Sequence, residues 1–339
     1  MQGSNLTLVW WLLAAVAPIP AAAGDGLARS RGRALADCAV LRSHGGPSDN
    51  AALRWNELPP GATEIDVVVH LHGFARHGRP LDLGTKEQSS GCDLTAPRGA
   101  APRGATYRRR PTLGIVPRGF RTGGVTGGGS VDVYDFPALT VAASGLDQLI
   151  GCGLDFLANT DGGPAVEPLE RGRLILTAHS GGGARLLQLL GWHDPDEVEL
   201  FDALYQEPDA AVDWARRHIR RDAAALSSLP RDRWRDHMAS DGGSLRAIFL
   251  ENSLTLPHNT ALHVAIECEL RAIPDPEIPA FLRRYYRVER TRVRHDDIPK
   301  TFGWQLLADA GADLIPTPAS LGGPTGAATE GCPDIDDPH

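Results

Sequence analysis

The sequence predicts an α/β protein in which a mostly parallel central sheet has helices on both faces. Short runs of β-branched and other apolar residues alternate along the chain with stretches whose apolar residues recur at helical spacing. This alternation is typical of parallel sheets, because two parallel neighbours are joined by a crossover that is usually a helix. The 339 residues, 42% hydrophobic and 22% charged, suffice for one large domain with a sizeable core.

Two strands and one helix are predicted in the first half of this domain. Residues 65–71 are nearly continuous in apolar side chains, which indicates a buried strand. A second apolar run at 112–117 ends at a proline and predicts another strand. Glycines dominate residues 118–130, which we expect to form a loop. Apolar residues at helical spacing predict a helix over 147–159.

The second half continues the same alternation. A strand at 174–177 leads through a glycine-rich turn into a helix at 184–190. The remaining predicted elements are strands at 198–205, 245–250 and 284–292 and helices at 209–229, 259–271 and 301–310. No internal repeat interrupts this order, so the pattern favours a single domain.

Four segments are predicted along the chain. Residues 1–23 are expected to be a signal peptide, because an apolar stretch is followed by small residues at 21–23 in an Ala-x-Ala cleavage pattern. A polar lead over 24–61, the α/β domain over 62–310 and a flexible tail over 311–339 complete the chain. We therefore expect a secreted or periplasmic protein. The apolar stretch is too short and too interrupted by proline for stable membrane insertion.

Charge and cysteine spacing bear on possible partners and sites. The formal net charge of −8 argues against nucleic-acid binding, which normally needs a basic surface. The five cysteines show no Cys-x-x-Cys spacing, and export would permit one or two disulfides whose pairing the sequence leaves open. Cys152 falls in an apolar helical pattern, so we expect it to be a buried small apolar residue.

Ser180 lies at the apex of the strand–turn–helix segment. A serine is a poor nucleophile unless a base removes its proton and the backbone presents it outward, and a sharp turn of this kind presents it. Ala178 and Gly182 are small where strand and helix would approach closely. The glycines at 181–183 leave backbone N–H groups able to face a developing negative charge.

The segment Ala178-His179-Ser180-Gly181-Gly182 resembles the nucleophile elbow of the α/β-hydrolase superfamily, Gly-x-Ser-x-Gly, with Ala178 in place of the first glycine. The resemblance implies an α/β-hydrolase fold over residues 62–310 and a nucleophilic role for Ser180. The alternative is an ordinary glycine-rich turn in which Ser180 has no catalytic role. A phosphate-binding loop is excluded, because neither of the glycine patterns of such loops fits these positions.

The same resemblance implies that the acid and then the histidine follow the nucleophile in the chain. His295 lies after the last predicted strand and before the final helix, where that order places the base. His258 lies in a loop one strand earlier, and His263 falls within a helical pattern. We therefore expect His295 to be the general base, with His258 and His263 as alternatives.

Asp202 is the first candidate for the acid that orients this histidine. It lies in an otherwise apolar strand context, where an unpaired carboxylate would cost several kcal/mol. Pairing with a histidine would offset that cost and fix the tautomer of the ring. Glu251, in the loop after the next strand, is the alternative acid, and Asp209 is the third candidate.

Backbone donors for an oxyanion are expected from two segments. The strand end His72-Gly73-Phe74 resembles the His-Gly segment of lipases and esterases, which implies a donor at the N–H of Phe74. The resemblance places the other donor at Gly181, directly after the nucleophile. No metal is expected, because neither the histidines at 70, 72 and 77 nor the acidic pair 296–297 completes a ligand set. No cofactor is expected either.

The function predicted from these features is hydrolysis of a carboxylic ester through an acyl-enzyme on Ser180. The expected substrate is a small-molecule or lipid-like acyl compound. Two alternatives stay open: an amidase or peptidase of the same fold, and a non-catalytic binding protein that keeps the elbow without a working triad.

Overall fold

The computed structural model describes residues 32–42, 50–59, 61–73, 83, 110–126, 129–159, 168–303 and 306–310. The predicted signal peptide and the predicted tail lie outside these residues. The strands are β1 (Gly32–Ala36), β2 (Ala51–Trp55), β3 (Glu64–Leu71), β4 (Thr112–Pro117), β5 (Phe120–Thr126), β6 (Gly129–Asp135), β7 (Glu170–His179), β8 (Glu197–Phe201), β9 (Ser244–Leu250) and β10 (Tyr286–Thr291). The helices are α1 (Ala39–Arg42), α2 (Pro137–Thr140), α3 (Ser144–Asn159), α4 (Gly183–Leu189), α5 (Asp209–Ser228), α6 (Trp234–Ser240), α7 (Leu256–Arg271), α8 (Glu277–Leu282), α9 (Ile298–Phe302) and α10 (Leu307–Ala310).

Eight strands form the central sheet in the order β1-β2-β4-β3-β7-β8-β9-β10. β2 runs antiparallel to both of its neighbours, and every pairing from β4 through to β10 is parallel. The prediction of a mostly parallel central sheet is confirmed. Since parallel strands end at the same edge, the loops after β3, β7, β8, β9 and β10 all leave from one side of the molecule.

Both faces of the sheet are covered, as the near-continuous apolar strands predict. Alternate strand residues such as Val67 and Leu174 belong to the large core cluster that includes buried residues of α3, α4 and α5. Strand residues on the opposite face belong to separate clusters. Val68 and Ile175 share one of them, and Ile248 clusters with Ile298 and Phe302 of α9. Each face of the sheet therefore has its own apolar layer.

Two stretches expected to be irregular are in fact strands. The glycine-rich segment 118–130 contributes to a hairpin in which β5 pairs antiparallel with β6. Glycine is poorly suited to strands in isolation, so the pairing partner decides this conformation. Within the segment 24–61, expected as a lead, β1 and β2 form one edge of the central sheet. The sheet thus begins before residue 62.

Three further expectations need correction. The strand predicted at 198–205 ends at Phe201, which leaves Asp202 in the following loop. The helix predicted at 301–310 is replaced by α9, which starts at Ile298, and by α10. Cys152 is a disulfide partner of Cys38, not an isolated apolar residue. Within the described part of the chain, no helix is long and apolar enough to cross a membrane.

Candidate active site

Ser180 occupies a sharp turn between the end of β7 and the start of α4. Its φ of 54° lies in the left-handed region, which a residue with a Cβ rarely adopts. Such strain costs about 1–3 kcal/mol and persists where the surrounding structure enforces it. A single 3₁₀ turn over Ser180–Gly182 connects the strand to the helix. The residue is only 8% exposed, so the serine lies in a recess at the sheet edge.

Glycines allow the elbow to pack tightly against two neighbouring loops. A Cβ at Gly182 would lie 2.2 Å from the carbonyl oxygen of Leu71, at the end of β3. A Cβ at Gly183 would lie 1.9 Å from the carbonyl oxygen of Ala203, just after β8. Both distances are far below van der Waals contact. The elbow is therefore held between the strand ends on either side of β7.

Asp202 and His295 meet at this same edge. His295 follows β10, and its Nδ1–H donates a hydrogen bond of 2.7 Å to Asp202 Oδ2. Asp202 directly follows β8 and has a φ of 45°, a second non-glycine residue in the left-handed region. Because Nδ1 carries the proton toward the carboxylate, Nε2 is the nitrogen that retains a lone pair. This is the tautomer that a general base needs.

The buried carboxylate of Asp202 is well satisfied. Thr255 Oγ1 and Ser253 Oγ both donate to its Oδ1, at 2.5 and 3.0 Å. Burial alone raises the pKa of Asp202, but the hydrogen bonds from His295 and Thr255 outweigh it and hold the pKa below the ordinary value of 3.8. Asp202 is therefore an anion at neutral pH, able to stabilise a protonated His295.

Three features now coincide: the sheet order with one antiparallel strand, a strained serine elbow after β7, and an acid–histidine pair after later strands. The chain has the α/β-hydrolase fold. No protein-family model matches the chain, and no curated protein matches its sequence.

Solved structures that resemble this chain are distant from it. S-formylglutathione hydrolase (FrmB) from Staphylococcus aureus is 12% identical with a TM-score of 0.37, over 80% of this chain and 95% of that one. Siderophore hydrolase EstA from Aspergillus nidulans is 15% identical with a TM-score of 0.33, over 91% and 100%. Esterase B from Lactobacillus rhamnosis is 15% identical with a TM-score of 0.32, over 71% and 72%. The strand order and the elbow of this chain are by themselves sufficient to identify the fold.

The alternative acid and bases are engaged elsewhere. Glu251 forms ion pairs with Arg292 at 2.7 Å and Arg290 at 3.7 Å, and the hydrogen bond from Arg292 lowers its pKa. His258 Nδ1 lies 3.7 Å from Glu207 Oε2. The other two alternatives lie in helices, His263 within α7 and Asp209 at the start of α5. Of the candidate pairs, the structure brings together Asp202 and His295.

The proposed oxyanion donors are described in part. Gly181 lies in the 3₁₀ turn directly after Ser180, as the elbow pattern requires. Phe74 lies outside the described residues. Its predecessor Gly73 is present, and a Cβ there would lie 2.5 Å from Ser180 Cβ. The backbone that leads to Phe74 therefore runs against the nucleophile.

His72 holds this part of the backbone in place. Its Nε2 accepts a hydrogen bond from the Gly119 N–H at 3.2 Å, so the proton is on Nδ1, which donates to the Gly73 carbonyl oxygen at 3.0 Å. His70 lies two residues earlier, within β3, with its Nδ1 2.7 Å from Thr177 Oγ1. Both histidines thus connect β3 and its loop to neighbouring strands, a structural role.

Two side chains that the sequence did not single out belong to the site. The ring of His179 packs against that of His295 at a tilt of 36°, with centroids 4.5 Å apart, and His179 Nε2–H donates to the His295 carbonyl oxygen at 3.1 Å. Burial, and then the negative charge of Asp202 three residues earlier, raises the pKa of Tyr205 to about 12. The position of His179 inside the elbow was the available signal for the first; no sequence pattern indicates the second.

One group of side chains in the described residues could offer ligands to a metal. His179, His295 and Asp296 have ligand atoms within 4.8 Å of one another. His179 Nε2 and His295 Nδ1 are already committed to hydrogen bonds with oxygen acceptors. These three residues, of which Asp296 is exposed to solvent, are fewer than the four ligands of a structural zinc site.

Proposed function

We propose that this protein is a serine hydrolase that cleaves carboxylic esters through an acyl-enzyme on Ser180. The observation that carries the proposal is the 2.7 Å hydrogen bond between His295 Nδ1 and Asp202 Oδ2, at the sheet edge where Ser180 is presented. His179 links the two parts, because it directly precedes Ser180 and hydrogen-bonds to the backbone of His295.

The arrangement fits a two-step acyl transfer. Ser180 Oγ attacks the ester carbonyl while its proton passes to His295 Nε2, and the ionised Asp202 stabilises the resulting imidazolium. The N–H groups of Gly181 and Phe74 hold the oxyanion, each worth about 2.7–4 kcal/mol in the transition state. His295 then returns the proton to the departing alkoxide, and a water activated by the same ring releases the acid.

A cleft lies beside α4, the helix that follows the elbow. Its volume is about 440 Å³, and it lies between α4 and residues 206–210, which follow Tyr205 and include the start of α5. Charged and amide side chains predominate among its lining residues: Arg185, Gln188, Gln206, Glu207 and Asp209, with Ala184, Leu187 and Ala210. Ser180, Asp202 and His295 are not among these residues, so the cleft does not enclose the candidate reacting groups.

Labelling with a fluorophosphonate tests for an activated serine. We expect a covalent adduct on Ser180, located by peptide mass spectrometry and absent in Ser180→Ala. The wild type should then hydrolyse p-nitrophenyl acetate, and the matched anilide should react far more slowly. A folded wild-type protein that forms no adduct and hydrolyses no ester would instead favour the non-catalytic binding protein, and faster anilide cleavage would favour the amidase.

A further inference from the structure

His179 is the last residue of β7, and its side chain lies on the same face of the sheet as the segment that carries His295. Its backbone is extended, with φ −120° and ψ 137°, so its side chain points to the face opposite that of Ala178, which belongs to the large core cluster. His179 is in register with Phe201 of β8, and Phe201 clusters with Ile298 on that opposite face. The end of β7 therefore directs His179 toward the residues that follow β10.

Two apolar side chains fix the ends of the short segment that carries His295. Ile298 is fully buried in the cluster with Phe201, and Val293 packs against the same cluster. Between these two anchors, residues 294–297 are exposed or only half-buried, and the side chain of His295 is 30% exposed. The anchors hold the segment on the sheet, but they leave the orientation of the peptide between them to other contacts.

His179 supplies a contact at the middle of this segment. Its Nε2–H donates to the His295 carbonyl oxygen at 3.1 Å, and its ring packs against the ring of His295 with centroids 4.5 Å apart. The same carbonyl oxygen accepts a hydrogen bond from the Ile298 N–H, which closes the 3₁₀ turn. Asp202 holds Nδ1 of His295 at 2.7 Å. The imidazole is thus restrained at Nδ1, on one ring face and through its own backbone, and none of these contacts uses Nε2.

We propose that His179 is a positioning residue for the general base: its Nε2–H donor orients the His295 peptide and thereby directs His295 Nε2 toward Ser180. The proposal rests on the proposed function. Proton transfer needs a heavy-atom distance of about 2.6–3.2 Å, and a misplacement of about 1 Å can cost about 100-fold in rate. Because His179 directly precedes the strained Ser180, the nucleophile and the donor that orients its base are carried by one turn.

Two substitutions separate the donor of His179 from its ring. His179→Phe keeps an aromatic ring beside His295 and removes the donor. His179→Gln removes the ring and places an amide N–H donor at a similar distance from the backbone as Nε2. If the hydrogen bond positions His295, glutamine should restore what phenylalanine loses. If the ring only fills space, phenylalanine should be the better replacement.

Hydrolysis of p-nitrophenyl acetate gives the first readout. We expect kcat/KM to fall about 10- to 100-fold in His179→Phe and to stay near the wild-type value in His179→Gln. The rate of fluorophosphonate labelling should fall in parallel, because that reaction also requires the Ser180 proton to pass to His295. Wild-type kinetics in His179→Phe, or an equal loss in both variants, would overturn the proposal.

Proton NMR gives a second readout, which does not depend on turnover. The Nδ1 proton that His295 donates to Asp202 should give a downfield resonance in the wild type, identified by its loss in His295→Gln. We expect this resonance to persist in His179→Gln and to shift or disappear in His179→Phe, because the segment that carries His295 is no longer held. An unchanged resonance in His179→Phe would count against the proposal.

His218→Phe is the matched control. The ring of His218 stacks on Trp214 with centroids 3.9 Å apart, and its Nε2–H donates to Asp194 at 2.8 Å. Asp194 precedes β8, so this histidine lies at the opposite end of the sheet from Ser180. The control should lower the melting temperature and leave both hydrolysis and the downfield resonance unchanged.

The outcomes separate this proposal from the proposed function. Wild type that labels at Ser180 and hydrolyses the ester, combined with wild-type kinetics in His179→Phe, would refute the role of His179 alone. Wild type that neither labels nor hydrolyses would refute the proposed function.

Discussion

At the scale of single residues, the left-handed backbone of Asp202 is what brings its carboxylate into the site. The sequence already indicated that a carboxylate in this apolar context needs a partner, because burying it unpaired costs several kcal/mol. The structure supplies three side-chain donors, on His295, Thr255 and Ser253. Sequence reasoning could rank Asp202 above Glu251 on this cost but could not identify the donors, which come from distant loops.

Asp202→Asn should lower kcat by about 10⁴-fold, because an amide facing Nδ1 favours the wrong histidine tautomer. Glu251→Gln makes the same chemical change at the alternative acid, whose partners are Arg292 and Arg290. We expect this control to retain near wild-type activity. Steady-state hydrolysis of p-nitrophenyl acetate measures both, and a large loss in Glu251→Gln with little in Asp202→Asn would reverse the assignment.

At the scale of elements, the strand–elbow–helix unit was the most predictable part of the chain. Its apolar strand, small residues and amphipathic helix are all local signals, and β7 and α4 lie where they were expected. The hairpin of β5 and β6 was missed because its glycines carry no strand preference and its order comes from pairing. The edge strands β1 and β2 were missed for a similar reason, since their partners lie far along the chain.

Gly182→Ala tests the close approach of elements at the elbow. Its Cβ would lie 2.2 Å from the Leu71 carbonyl oxygen, so β3 and the elbow must separate. We expect a loss of roughly 1–3 kcal/mol in the free energy of unfolding, as for other overpacked sites, together with reduced kcat. Urea denaturation and ester hydrolysis provide the two measurements.

Gly151→Ala in α3 is the matched control, because a Cβ there meets no atom within 4 Å. Replacing glycine by alanine inside a helix should stabilise the protein by up to about 1 kcal/mol and leave hydrolysis unchanged. If both alanine variants had wild-type stability and activity, the close packing of the elbow would not be the reason for Gly182.

At the scale of the whole molecule, one disulfide joins parts of the fold that are remote in sequence. Cys38, between β1 and α1, is bonded to Cys152 of α3 across a sequence separation of 114 residues. Cross-linking a loop of this length removes much of the conformational entropy of the unfolded chain. We propose that the protein is exported, because disulfide bonds persist in oxidising compartments. Export also agrees with the signal peptide predicted over residues 1–23.

Replacing both Cys38 and Cys152 by alanine should lower the free energy of unfolding by about 2–5 kcal/mol. The effect on kcat at low temperature should be small, because the site is built on the loops after β7, β8 and β10. Urea denaturation of the variant, of either single variant and of wild type measures this. Equal stability of all four proteins, or free thiols at both positions in wild type from its native compartment, would contradict the role of the bond.

The sequence by itself determined the alternation of strands and helices, the serine elbow and the late histidine, because each depends on local residue patterns or on order along the chain. Only the tertiary structure decided which carboxylate meets His295, that His179 contacts His295, and that Cys38 pairs with Cys152. The contacts at the candidate site join residues that lie far apart along the chain, and side-chain chemistry alone allows several pairings. The parallel sheet selects among them, because it brings the carboxyl ends of its strands to a single edge.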